Sequence, residues 1–388
     1  MDKYRYILGI PLILVIVLLC WIEAVHPIRV SVNPCDKLND MSLDTLAVST
    51  TNSTNVQQEI SSTCERVQAK IPGLWVLPIL LLAGLAGVYE TLHMVEKLGA
   101  ATSRVTVYFF SLLILLAPWT PLLYAFMWKN SWYGTSLSGS SPFWSSDFAV
   151  WLERSSLVLI LLLFVFGALC VTLTQMKKYP GPQSNGQTFR GILGGTFVLF
   201  YLPVLFSFAS LILLRWGVIV LGVVVLLTKS GDMGAYWIGR TFGKRISEQD
   251  AVKMDRPNKV GLPKHPMSPI LSPKKSWEGA AGAVLLPVCV AIILSQTVVV
   301  PDSQPTVGSS FWTTSLGCVL FATLTGAILG VVGLLGDLAE SFLKREAGVK
   351  DSSTWLPGFG GILDMVDSLL FAAPVAFLLL WIQDILRN

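Results

Sequence analysis

Nine apolar segments, each about 20 residues long, dominate this chain of 388 residues. An α-helix needs roughly 20 apolar residues to cross a hydrocarbon core of about 30 Å, so each segment has the length of a transmembrane helix. Only 13% of the residues are charged, whereas about a quarter is usual in soluble domains. The segments are 7–25, 72–92, 105–127, 150–175, 191–213, 217–238, 279–300, 312–336 and 362–385. We therefore predict an all-α, polytopic bundle of about nine transmembrane helices.

The basic residues predict the orientation of this bundle. If the N-terminus lies inside, 19 of the 28 Lys and Arg residues fall in the inner segments, as expected from the excess of basic residues in cytoplasmic loops. We therefore predict that the N-terminus is inside. The net charge of +4 then reflects topology and gives no reason to expect a nucleic-acid partner.

Composition divides the chain into three regions. In residues 1–71 we predict an anchor helix followed by a polar outer loop. We favour an anchor helix over a cleaved signal peptide. Cys35 and Cys64 of this loop could form a disulfide in an oxidising compartment. Residues 72–190 carry few charges within their spans and predict a scaffold, whereas residues 191–388 carry the polar groups that could perform chemistry.

The stretch 336–368 places many charges directly beside apolar spans, where charge is costly and therefore often functional. Asp337, Glu340, Ser341 and Lys344 share one helix face, and Asp364 and Asp367 share another. Residues 357–361 read Pro-Gly-Phe-Gly-Gly, which favours a tight loop with exposed amides. Two acidic helix ends joined by such a loop could hold Mg²⁺ and phosphate oxygens.

Two simpler interpretations of this stretch stay open. Its bases could only flank a membrane span, and its acids could only stabilise a helix N-terminus. The occurrence of these bases and acids together weakens both interpretations. Lys229 and Asp232 enter an apolar helix near its inner end, where an unpaired Asp would be expensive, so a cation or the Lys must satisfy it.

Three motifs resemble those of the phosphatidate cytidylyltransferases (CDP-diacylglycerol synthases). Residues 341–367 resemble the family pattern S-x-x-K-R-x4-K-D-x5-P-G-H-G-G-x-x-D-R-x-D. Residues 231–244 resemble D-T-G-A-Y-x-x-G-R-x-F-G-K, and residues 272–279 resemble S-P-K-K-T-W-E-G. The motifs occur in the family's order and the resemblance covers about residues 190–388. This chain has Phe359, Met365 and Met233 where the family has His, Arg and Thr, respectively.

The resemblance implies a reaction and a set of site residues. A phosphate oxygen of phosphatidate would attack the α-phosphorus of CTP, giving CDP-diacylglycerol and pyrophosphate. The catalytic residues would be Asp364, Asp367, Lys350 and Asp337. The ligands of Mg²⁺, and of a second, monovalent cation if one is used, would be Asp364, Asp367, Asp337 and Asp232. The substrate-binding residues would be Lys344, Arg345, Arg240, Lys244, Lys275, Ser341, Gly360 and Gly361.

The resemblance also implies a multi-pass protein of the cell inner membrane, with its site on the cytoplasmic side. CTP, phosphatidic acid and membrane lipid would be its partners, and a homodimer stays open. Two other functions also stay open at this point. The chain could use CTP on another lipid phosphate of the polyprenyl type, or it could be a non-catalytic homologue that acts as a membrane scaffold.

Overall fold

A computed structural model describes residues 29–32, 67–70, 76–120, 146–181, 186–243, 246, 263, 265–269, 271–297, 315–353 and 360–387. The helices are α1 (Leu77–Lys97), α2 (Arg104–Leu116), α3 (Ser146–Lys177), α4 (Gln187–Leu199), α5 (Leu205–Thr241), α6 (Trp277–Thr297), α7 (Ser315–Glu346) and α8 (Leu363–Arg387). Two short antiparallel pairs join β1 (Arg29–Val32) to β2 (Val67–Lys70) and β3 (Pro266–Ser268) to β4 (Ser272–Ser276).

The prediction of a polytopic helical membrane protein is confirmed. Within the described ranges, six helices are long and apolar enough to cross a membrane. The first predicted segment, 7–25, lies outside the described residues, as do Cys35 and Cys64. The predicted orientation and the division into three regions remain predictions.

The longest apolar stretch, Gln187–Thr241, contains 55 residues. As one straight helix it would measure about 80 Å, at 1.5 Å per residue, which is far more than a bilayer requires. A π-helical turn containing Pro203 joins α4 to α5. Within α5, Gly217 has φ 86° and ψ 174°, and this positive φ is readily adopted only by glycine. The helix is therefore broken at Gly217.

Contacts with α8 show that the chain reverses direction at this break. Before it, Phe208 packs against Phe377, with ring centroids 5.5 Å apart. At the break, Arg215 Nη2 donates to Asp384 Oδ2 at 2.9 Å. After it, Lys229 Nζ donates to Ser368 Oγ at 2.9 Å, back near the start of α8. The chain thus turns between the fifth and sixth apolar segments, and the turn brings Lys229 to the acidic end of α8.

Glycines allow α5, α6 and α7 to pack with their backbones close together. A Cβ atom on Gly234 of α5 would collide with the carbonyl oxygen of Gly282 in α6 and lie 2.8 Å from Leu286 Cβ. A Cβ on Gly326 of α7 would lie 2.9 Å from Val288 Cα. Small residues permit such close approach between membrane helices. This packing fixes the inner end of α5, which carries Asp232, against its neighbours.

We expect Gly234→Ala to lower the melting temperature of the purified protein in detergent. Overpacking of this kind typically costs about 1–3 kcal/mol, because the added methyl group must displace the backbone of α6. Gly333→Ala is the matched control, since its Cβ would lie 3.6 Å from Ser368 Cβ, an ordinary contact. Equal melting temperatures for the two variants would contradict this account of the packing.

Candidate metal and phosphate site

Three acidic side chains converge where α7 meets the beginning of α8. One carboxylate oxygen each from Asp337, Glu340 and Asp367 lies within 4.8 Å of the others. Asp337 and Glu340 share a face of α7 because they are three residues apart. The helices approach closely here, since a Cβ on Gly336 would lie 2.6 Å from the carbonyl oxygen of Asp367. The absence of a side chain at Gly336 therefore helps to bring the acids together.

Glu340 is the most buried of these acids, with a side chain only 1% exposed. Lys344 Nζ forms an ion-pair contact with its Oε2 at 2.8 Å, and this lysine is shared with Asp364. A buried carboxylate that shares its positive partner with a second acid is costly. Carboxylate oxygens are also the ligands that Mg²⁺ prefers, with water and phosphate completing its shell. The donor set of Asp337, Glu340 and Asp367 therefore fits a divalent cation.

Lys229 enters this region from α5. Its Nζ lies 3.0 Å from Asp232 Oδ2 and 3.7 Å from Asp367 Oδ1, and it also donates to Ser368 Oγ. The sequence left open whether a cation or this lysine satisfies Asp232. In the structure the ammonium group is in place, and it links Asp232 to the acid cluster.

Lys275 enters from β4, in the hairpin that precedes α6. Its Nζ lies 2.7 Å from Asp337 Oδ2. The hairpin is also tied to the end of α7, because Arg345 Nε donates to the carbonyl oxygen of Leu271 at 3.3 Å. The structure thus places Lys275, one of the predicted substrate-binding residues, beside Asp337.

Asp364 lies in a hydrogen-bonded network of its own beside the acid cluster. Its Oδ2 accepts from Ser352 N at 3.0 Å, from Ser352 Oγ at 2.8 Å and from Gly361 N at 2.7 Å. Its Oδ1 accepts from Lys344 Nζ at 2.5 Å. Gly360, with φ 92°, turns the chain tightly around this carboxylate. The structure thus groups Asp367 with Asp337, and a metal-binding role for Asp364 stays a prediction.

A carboxylate from the scaffold region, Glu90 of α1, completes the site. It is fully buried and contacts the segments on both sides of residues 354–359. Sequence reasoning missed it because its partners lie 262 to 273 residues away along the chain. The available signal was an acid inside an apolar helix, which is expensive unless it serves a purpose.

The remaining predicted site residues lie around this core or outside the described ranges. Arg345 and Lys350 are exposed and Ser341 is half-buried on α7. Arg240 is exposed at the end of α5, and its Nη1 donates to Tyr236 OH at 2.5 Å. Lys244 lies outside the described residues, as does Phe359. These positions could meet a phosphate, and their roles remain predictions.

Comparisons with known proteins show which family and which proteins this chain resembles. The sequence model of the cytidylyltransferase family matches residues 261–383. Phosphatidate cytidylyltransferase of Haemophilus influenzae is 37% identical over 161 residues, which are 41% of this chain and 44% of that protein. The Mycobacterium bovis protein of the same name is 30% identical over 205 residues, 52% of this chain and 54% of its own. That of Bacillus subtilis is 34% identical over 151 residues, 39% of this chain and 43% of its own. The chain spans about half the length of the curated relatives it matches.

Proposed function

We propose, from the premise that this chain belongs to the cytidylyltransferase family, that it transfers CMP from CTP to phosphatidate, giving CDP-diacylglycerol and pyrophosphate. The convergence of Asp337, Glu340 and Asp367 with Lys229, Lys275 and Lys344 beside apolar spans is the observation that carries this proposal. A scaffold protein would have no use for so many charges beside apolar spans. The names of the relatives support phosphatidate as the lipid acceptor.

In this reaction, an oxygen of the phosphatidate phosphate forms a bond to the α-phosphorus of CTP. The bond from that phosphorus to the oxygen leading to the β-phosphate breaks, and this oxygen leaves with the electron pair as part of pyrophosphate. A phosphate monoester has its second pKa near 6, so the nucleophile is largely ionised at neutral pH and needs no general base. Positioning and charge neutralisation therefore carry most of the catalysis.

The residues of this chain divide these tasks between them. Asp337, Glu340 and Asp367 would hold Mg²⁺, which when bound neutralises charge on phosphate oxygens. Lys275 and Lys344 would bind the phosphates of CTP, because each can exchange a carboxylate partner for a phosphate oxygen. Lys229 supplies a resident positive charge beside Asp232, at the position proposed for a second cation.

We also propose that the protein resides in the cell inner membrane with this site on the cytoplasmic side. The distribution of Lys and Arg supports that orientation, and relatives from bacteria with two membranes support an inner membrane. A site at the inner surface would meet CTP from the cytoplasm and phosphatidate from the inner leaflet.

The proposal is tested with purified protein, labelled CTP and phosphatidate in mixed micelles. We expect chloroform-soluble label that depends on Mg²⁺ and disappears on addition of a chelator. Polyprenyl phosphate serves as the competing acceptor. A clear preference for polyprenyl phosphate would replace the proposed substrate, and absence of product at every Mg²⁺ or Mn²⁺ concentration would overturn the proposal.

Substitution of Lys275 is expected to change the affinities for nucleotide and metal in opposite directions. In Lys275→Gln, the KM for CTP should rise about tenfold, because a charge-assisted phosphate contact is lost. Mn²⁺ should bind severalfold more tightly in the absence of nucleotide, since the ammonium 2.7 Å from Asp337 no longer competes for that carboxylate. Mn²⁺ titration followed by electron paramagnetic resonance measures the second effect.

Lys274→Gln is the matched control, because Lys274 is the exposed neighbour on the same strand and successive strand residues point to opposite faces. It should leave both affinities unchanged. Weaker Mn²⁺ binding in Lys275→Gln than in this control would contradict the exchange of Lys275 between Asp337 and phosphate.

A further inference from the structure

Glu90 lies on α1, outside the residues that match the family model, yet its carboxylate meets the core of the site. Oε1 accepts from Ser353 Oγ at 2.6 Å and from the amide of Ile362 at 3.0 Å. Oε2 accepts from Ser352 Oγ at 2.9 Å and from the amide of Leu363 at 2.8 Å. Both carboxylate oxygens thus contact residues 352–353, which follow α7, and residues 362–363 at the start of α8.

The two amides belong to the beginning of α8, where backbone N–H groups have no partner within the helix. An anion is favoured there by the helix dipole, and a local Ser, Thr or Asp usually supplies the acceptor. Here the acceptor comes from a helix more than 260 residues earlier in the chain. Glu90 therefore fastens the start of α8 to α1.

Glu90 packs closely against the backbone at Gly361. A Cβ on Gly361 would collide with Glu90 Oε2 and lie 2.5 Å from Glu90 Cδ. Only a glycine can therefore occupy this position while the carboxylate keeps its place. Gly361 thus lies between two carboxylates: Glu90 packs against it on one side, and Asp364 accepts a hydrogen bond from its amide.

Ser352 joins these two carboxylates. Its Oγ lies 2.9 Å from Glu90 Oε2 and 2.8 Å from Asp364 Oδ2. A hydroxyl group has one proton, so Ser352 donates to one carboxylate at a time. The hydrogen bonding of Glu90 and that of Asp364 therefore depend on each other. Asp364 in turn holds Lys344, which contacts Glu340 of the acid cluster. A continuous chain of contacts therefore runs from α1 to the acids.

We propose that Glu90 is a positioning residue for the transfer reaction, which fixes the start of α8 and, through Ser352 and Asp364, the direction of the Lys344 ammonium. This inference rests on the proposed function. Through Glu90, the predicted scaffold region, residues 72–190, would contact the site and help to position its residues. This positioning role also gives a reason for a fully buried acid in an apolar helix, because the free-energy cost of desolvating its charge must be offset.

The test compares Glu90→Gln with Glu96→Gln in the purified protein. Glu96 lies on the same helix, and its described side-chain hydrogen bonds go to the exposed Arg104. Gln has nearly the same shape as Glu, but its NH₂ group takes the place of one carboxylate oxygen. This NH₂ group cannot accept the hydrogen bonds that the oxygen accepted. The measurements are hydrogen exchange at the amides of Ile362 and Leu363, kcat and KM for CTP, and the melting temperature.

We expect exchange at these two amides to be at least tenfold faster in Glu90→Gln, and kcat/KM for CTP to fall about a hundredfold in protein that remains folded. Glu96→Gln should match the wild type in every measurement. If Glu90→Gln does not fold, Ser353→Ala, which removes one of the four contacts, should show the same changes at smaller size.

Unchanged kcat and KM beside a lower melting temperature would overturn the proposal, because Glu90 would then only stabilise the fold. Unchanged amide exchange would overturn it as well. If the wild type forms no CDP-diacylglycerol, the proposed function fails. The exchange measurement then still decides whether Glu90 holds the start of α8.

Discussion

Asp367→Asn is expected to lower CMP transfer by about a thousandfold, the upper range for loss of one electrostatic group in an active site, without unfolding the protein. Asp367 contributes an oxygen to the cluster with Asp337 and Glu340, so the substitution removes one of the negative charges that would hold the proposed metal ion. The variant remains folded because Asn keeps the shape of Asp and reduces repulsion among buried acids. The rate per folded molecule and the affinity for Mn²⁺ should fall together.

Glu346→Gln is the control for this variant, since Glu346 is exposed at the end of α7. It should retain the wild-type rate and affinity. An Asp367→Asn protein that transfers CMP at the wild-type rate would contradict the assignment of the cluster as the metal site.

Lys344→Met is expected to destabilise the protein by about 3–5 kcal/mol, the range for removing one partner of a buried ion pair. The ammonium lies 2.8 Å from Glu340 Oε2 and 2.5 Å from Asp364 Oδ1, and the three side chains are 14%, 1% and 9% exposed, respectively. Both carboxylates would lose their positive partner. Denaturant unfolding in detergent measures the loss of stability. Transfer should fall at least a hundredfold, because Lys344 is one of the two lysines proposed to bind the phosphates of CTP.

The double variant Lys344→Met with Glu340→Gln separates the two effects. Stability should recover in part, since one uncompensated charge is removed with its partner, whereas transfer should stay low. A Lys344→Met protein as stable as the wild type would show that the lysine does not neutralise these acids.

The sequence was sufficient to predict most of the architecture. Hydropathy identifies apolar helices because a bilayer requires long apolar segments with internally bonded backbones. It locates helix ends less well. The segment predicted as 312–336 continues as a helix to Glu346, because an apolar run ends at the membrane surface whereas a helix can extend beyond it. The turn at Gly217 was predictable from two long spans with almost no residues between them.

The site was predictable only where its residues are close in sequence. Helical spacing correctly put Asp337 and Lys344 on one face of α7. It could not separate Asp364 from Asp367, because their different environments depend on Ser352, Gly361 and the approach of α7. The pairing of Lys275 with Asp337 and the role of Glu90 arise from tertiary packing. Neither is encoded in a local pattern.

The most direct test of the central claim is the fate of each phosphate of CTP. Purified protein is supplied with phosphatidate, Mg²⁺ and CTP labelled at either the α-phosphate or the γ-phosphate. The account predicts that α-label enters the chloroform-soluble lipid, while γ-label is released as pyrophosphate in equal amount. Entry of γ-label into lipid, or failure of either label to react, would contradict a cytidylyltransferase site at Asp337, Glu340 and Asp367.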